Sequence, residues 1–86
     1  MSQVKTKKDL AVQTGRNLKH LRLKHKLSMD RVVRVVGEIG YETNLNAYSN
    51  YESGNATANL FVLRALSLFY QVSIEDLCFK NLTTTT

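Results

Sequence analysis

The sequence predicts an all-α fold, a compact bundle of five short helices. Three observations carry that expectation. Proline is absent and glycine occurs only four times, so little punctuates the chain. No Asn-Gly or Asp-Gly pair marks a β-hairpin, and Ser53-Gly54-Asn55 stands isolated. Apolar residues recur at helical spacing, and most of the segments they define follow a Ser, Thr or Asn able to cap them.

The first helix is expected between Asp9 and about Lys26, with Leu10, Val12, Leu18 and Leu21 on its apolar side. Asp9 in the first turn and Lys24 and Lys26 in the last suit the helix dipole. Gly15 weakens the interior, which leaves a start nearer Thr14 open. Residues 1–8 lack periodicity and read as a flexible basic arm. Ser28 caps a second helix carrying Val32, Val33, Val35 and Val36. Four valines suit a strand on propensity alone, but the cap and the lack of a hairpin partner favour a helix. Gly37-Glu38-Ile39-Gly40 closes it. A third helix starts near Thr43 or Asn44 and reaches Glu52, with Leu45, Tyr48, Tyr51 and Glu52 on one face. Asn59 caps a fourth, Leu60 to Tyr70, with Leu60, Leu63, Leu66 and Tyr70 expected in the core. Ser73 caps a short fifth with Leu77 pointing inward, and residues 83–86 read as a disordered tail.

Eighty-six residues suffice for one domain, here 9–82, whose small core leaves a thin stability margin that dimerisation would supplement. Cys78 is the only cysteine, so no internal disulfide forms. With only His20 and His25 to join it, and those five apart on a helix, no metal site is expected. No signal peptide or long apolar run appears, and the chain reads as cytoplasmic. Net charge is +5 but uneven: residues 1–26 carry +7 and the remainder −2. A basic N-terminal third points to a polyanion partner or to a solvated lysine-rich helix.

Several short motifs stand in a fixed order: Gly15-x-x-Leu18-x-x-Leu21-Arg22, Lys26-Leu27-Ser28, Asp30 through Val36-Gly37, Tyr48-Ser49-x-x-Glu52-x-Gly54, Leu60-x-x-Leu63-x-x-Leu66 and Val72-Ser73-Ile74-Glu75-Asp76-Leu77. The ordered set, over about residues 14–78, resembles the Cro/repressor (xenobiotic-response-element type, lambda-repressor-like) helix-turn-helix family. The resemblance implies a five-helix bundle whose second and third helices form the DNA-reading unit. It also implies a dimer spanning two half-sites of double-stranded DNA about one helical turn apart. This chain departs in three ways. Gly37 to Glu52 is fifteen residues where the family has about ten, so the turn around 38–43 is enlarged, through a longer second helix or a real loop. Ala58 replaces the usual proline, and the third helix holds no Lys or Arg.

The resemblance also implies site roles. Asn46 and Asn50, with Ala47 between them and Asn44 at the helix start, match positions that read base edges. Asparagine pairs bidentately with adenine and alanine can touch a thymine methyl, so an A·T-rich site is expected. Phosphate contacts fall to Ser28, the Met29 backbone, Asn55, Thr57 and Asn59 at helix N-termini, and to Arg22, Arg16 and Lys19. Arg22 and Glu52 match a structural ion pair. Leu45, at a position that usually faces DNA, is expected to shift into the core beside Tyr48. The apolar residues Phe61, Leu68, Phe69, Leu77, Phe79 and Leu82 are assigned to a homodimer interface. No catalytic constellation is present, so no enzyme activity and no cofactor are expected. The function expected is transcriptional regulation, a dimeric repressor of bacterial or phage type occupying an operator. The alternative is an antitoxin-like or antirepressor-binding adaptor on the same fold, motivated by the missing cations in the third helix.

Overall fold

The computed structural model describes residues 4–84. Its longest helix is α1 (Lys7–Lys24), which packs against the third and fifth helices and the C-terminal turn. Around it stand α2 (Met29–Ile39), α3 (Leu45–Ser53), α4 (Leu60–Tyr70) and α5 (Ile74–Phe79), followed by a 3-10 turn at Leu82–Thr84. The described residues contain five α-helices and no strand. Among them, no helix is long and apolar enough to cross a membrane.

Each helix begins on a side-chain cap. Thr6, Ser28, Asn44, Asn59 and Ser73 accept from the backbone N–H three residues on, satisfying a donor the helix leaves open. The cap at Thr6 corrects the expected arm. Lys7 and Lys8 are already helical, while residues 1–3 lie outside the described part. The helix also starts well before Thr14 and ends at Lys24 rather than Lys26.

Gly15 does not interrupt α1, and the backbone of α3 crosses directly over it. A Cβ there would press on the Tyr51 carbonyl oxygen and lie 2.7 Å from that of Glu52. The residue that looked like a weak point is where two helix backbones approach too closely for any side chain.

In α2, Val32, Val35 and Val36 are buried while Arg31 and Arg34 face out. A helical period thus overrides the β preference of valine. The helix runs through Gly37 and stops at Gly40, whose φ of +118° places it in the left-handed region. Tyr41 N–H then bonds the Val36 carbonyl, completing the C-terminal cap. The segment expected to form an enlarged turn thus continues α2 to Ile39 and then runs as a loop over 40–44.

The core is formed by Leu18 and Leu21 of α1, Val32 and Val36 of α2, Tyr48 of α3, Val62, Leu63 and Leu66 of α4 and Leu77 of α5. Leu60 was expected among them but is 67% exposed. It opens α4 on the outward side, and Val62 and Leu63 take the inward places. The tail expected at 83–86 begins as ordered chain: Leu82 packs on the core and the turn reaches Thr84, with 85–86 outside the described residues.

Candidate nucleic-acid interface

Nine residues make α3 about 13.5 Å long, comparable to the roughly 12 Å width of a B-DNA major groove. Its inner face is held from behind. The Arg22 guanidinium grips Glu52 with two bonds, Nε to Oε2 at 2.6 Å and Nη2 to Oε1 at 3.0 Å. Its Nη1 donates to the Leu27 carbonyl oxygen at 2.9 Å. One side chain thus ties α1, the end of the α1–α2 connection and α3 together. Hydrogen bonding to Glu52, opposed by burial, raises the Arg22 pKa further and keeps it charged. The bidentate pair expected from the sequence is present. Arg22 is buried with three donors committed inside, so the phosphate role assigned to it shrinks to its two remaining N–H groups.

Tyr48 is fully buried beside this pair. Burial first, then the neighbouring Glu52 carboxylate, holds its phenol far above the usual range. Tyr70, also buried, is pushed up to about 12 by burial and then by Glu52. Tyr41 and Tyr51 are half-buried against the core. The tyrosines are therefore framework.

The outward face of α3 carries Leu45, Asn46, Ser49 and Ser53, all exposed, with Asn50 half-buried at its margin. Asn46 and Asn50 share one side as their spacing requires. Ala47 does not lie between them: it is half-buried and turned about 100° away from Asn46 by the helical rotation of one residue. Asn44 is the cap, its Oδ1 taken by the Ala47 N–H at 2.8 Å, which leaves its amide donors. Leu45 is 46% exposed and does not enter the core beside Tyr48. Ser49 was missed. Its exposure one turn from Leu45 follows once the buried pair Tyr48 and Glu52 is known, a face that the sequence pattern had already drawn. Glu52 is the only charged side chain on α3, and it is paired, so this face is polar and neutral.

Positive charge comes from neighbouring elements. A shallow groove is lined by Lys7, Lys8 and Ala11 of α1 and by Gly54, Asn55, Ala56 and Thr57 after α3. It joins two expected phosphate ligands, Asn55 and Thr57, to two lysines that the sequence placed on a separate arm. Val12, expected on the apolar side of α1, lies at its edge of burial and touches the Gly54 position. It belongs to an exposed stripe with Lys8, Arg16, Lys19 and Leu23, spaced for one helical face. Ser28 and Asn59 are exposed, with one side-chain acceptor each spent on capping, and Met29 is half-buried. Arg31 and Arg34, exposed on α2, were not anticipated as cationic groups of this region.

The residues assigned to a dimer interface divide. Phe61, Leu68, Phe69 and Phe79 are exposed large hydrophobics. Leu82 is half-buried against the core. Leu77 is completely enclosed, which removes it from any interface that leaves this fold intact. Among the described residues, no group of three or more His, Cys, Asp or Glu could hold a metal ion. No family model, no curated protein and no solved structure matches the chain.

Proposed function

We propose that the chain is a sequence-specific, dimeric DNA-binding regulator of transcription. In this reading α2 and α3 form a lambda-repressor-like helix-turn-helix with an enlarged turn. The observation that carries the reading is the division of α3. Its inner face is locked by Arg22–Glu52 and by the close crossing at Gly15, and its outer face offers the Asn46 and Asn50 carboxamides and the Ser49 hydroxyl. A neutral, hydrogen-bonding face on a rigid short helix suits base edges in a groove. The cations of α1 and the 54–57 loop flank it and suit phosphates. Asn46 and Asn50 read bases, Asn44 donates from the helix start, and Ser49 joins them. Lys7, Lys8, Arg16, Lys19, Asn55 and Thr57 hold the backbone, with Ser28, Met29 and Asn59 at helix N-termini. The exposed apolar residues of α4, Phe61 and Leu68 above all, pair two copies about a two-fold axis. Such a dimer acts in the cytoplasm by occupying an operator, without catalysis.

Selection of sequences from a random duplex pool at two salt concentrations tests this. The expected product is an A·T-rich palindrome, with affinity falling steeply as salt rises because counterions are released. Asn50→Ala should relax preference at one base position per half-site, at about 1–3 kcal/mol. An unenriched pool, or an Asn50→Ala protein that weakens on all sequences alike, refutes the assignment. Co-purification of a second protein alongside an unenriched pool would favour the adaptor reading.

A further inference from the structure

The outward face of α3 holds one side chain of a different kind from the rest. Leu45 is the first residue of the helix, directly after the Asn44 cap. Nearly half of its surface is open, while Tyr48 and Glu52, three and seven residues on, fill the inward positions against α1 and α2. Its neighbours on the outer side are Asn46 and, one turn on, Ser49. A single exposed leucine is ordinary on a protein surface. This one stands at the N-terminal end of a helix whose other outward groups are amides and hydroxyls, and in a groove-reading helix that end approaches the base edges.

The chemistry of the major groove limits what such a side chain can select. Adenine, guanine and cytosine present hydrogen-bonding groups and no alkyl group there, whereas thymine adds an apolar 5-methyl. A leucine over a polar edge would strip water from a donor or acceptor and replace none of its bonds, which is a penalty. Over a thymine methyl it buries apolar surface against apolar surface. The same residue therefore favours one base and disfavours the other three.

We propose that Leu45 is a specificity-determining residue that selects thymine in each half-site through contact with its 5-methyl group. The inference rests on the DNA-reading assignment of α3 and adds a base identity to it.

The test starts from the best duplex recovered by the pool selection. Each thymine is replaced in turn by deoxyuridine, which keeps every polar group and removes only the methyl. Affinity is measured by fluorescence anisotropy for the native chain and for Leu45→Ala, whose folding is checked by circular dichroism. One replacement per half-site should weaken the native chain about fourfold, the equilibrium weight of one buried methyl. Leu45→Ala should bind the thymine and deoxyuridine duplexes equally at that position. A native chain indifferent to every replacement overturns the proposal, as does a Leu45→Ala protein that keeps the same sensitivity. A pool with no enriched sequence removes the DNA-reading assignment itself and this inference with it. An enriched site with no methyl dependence removes this inference alone.

Discussion

Gly15 and Gly37 both sit inside helices, and their surroundings give them opposite meanings. At Gly15 the carbonyls of Tyr51 and Glu52 occupy the space a methyl would need. Those atoms belong to backbone and cannot swing aside, so α1 and α3 would have to part. Gly15→Ala should cost about 1–3 kcal/mol as an overpacked contact, despite the better helix propensity of alanine. At Gly37 nothing lies within 4 Å of the Cβ position, and the residue is helical and exposed. Gly37→Ala should stabilise by about 0.5–1 kcal/mol. Urea midpoints of the two variants check both signs, and a neutral Gly15→Ala would mean that the helices do not cross this closely in solution. In the sequence Gly15 read as a weak point inside a helix and Gly37 as part of a helix end, whereas both are helical. Only the neighbouring element tells them apart.

The six residues of α5 are too few to hold a helix by themselves. Beyond the burial of Leu77 and Cys78, a polar lock from α1 secures its end. Asn17, fully buried, donates from Nδ2 to the carbonyls of Leu77 at 2.9 Å and Lys80 at 2.6 Å. Its Oδ1 accepts from Gln13 Nε2 and from the Leu82 N–H, both at 3.1 Å. Asn17 thus serves α5 as a C-terminal cap supplied by another helix. Removing it leaves several buried groups unpaired, at about 1–3 kcal/mol. In Asn17→Ala, hydrogen exchange at the Leu82 amide should accelerate strongly while the α1–α3 contact stays protected. Uniform acceleration would show that α5 unfolds only with the whole domain. The sequence showed a polar residue at this place in the first helix, but nothing local distinguishes a buried asparagine from a solvated one.

For the whole molecule, the polar cluster in the core links stability to alkaline pH. The Tyr70 hydroxyl is buried with no hydrogen-bond partner, and its pKa rises from the ordinary 10.0 to about 12. A phenol whose folded pKa is raised favours the folded state while it stays protonated. That contribution is complete below about pH 10 and is lost as pH climbs through about 12, at up to roughly 2–3 kcal/mol. Tyr70→Phe carries no hydroxyl to ionise. Its melting temperature should exceed the native protein's already at pH 7, because an unpaired buried hydroxyl is gone, and the gap should widen toward pH 11; parallel melting curves across that range would refute the account. The same scale accounts for the apolar surface. A core built around one central helix has limited room, and Leu60, Phe61 and Leu68 remain outside it. In the proposed regulator that surplus is the dimer contact, so stability and pairing draw on one small stock of apolar side chains.

The sequence alone determined the helical class and the caps Ser28, Asn59 and Ser73, because these depend on neighbours a few residues apart; the third cap stayed open between Thr43 and Asn44, and the Arg22–Glu52 pair was implied by resemblance. Ser28, Asn44, Asn59 and Ser73 each bond a backbone N–H three residues away, a contact that needs no distant partner. Tertiary structure decided what lies against each face. It placed Leu45 and Leu60 in the open, enclosed Leu77, turned Ala47 aside and brought Lys7 and Lys8 to the 54–57 loop. Helical periodicity identifies which residues share a side. Which side is covered depends on where another helix crosses, and that is set by packing between residues far apart in the chain.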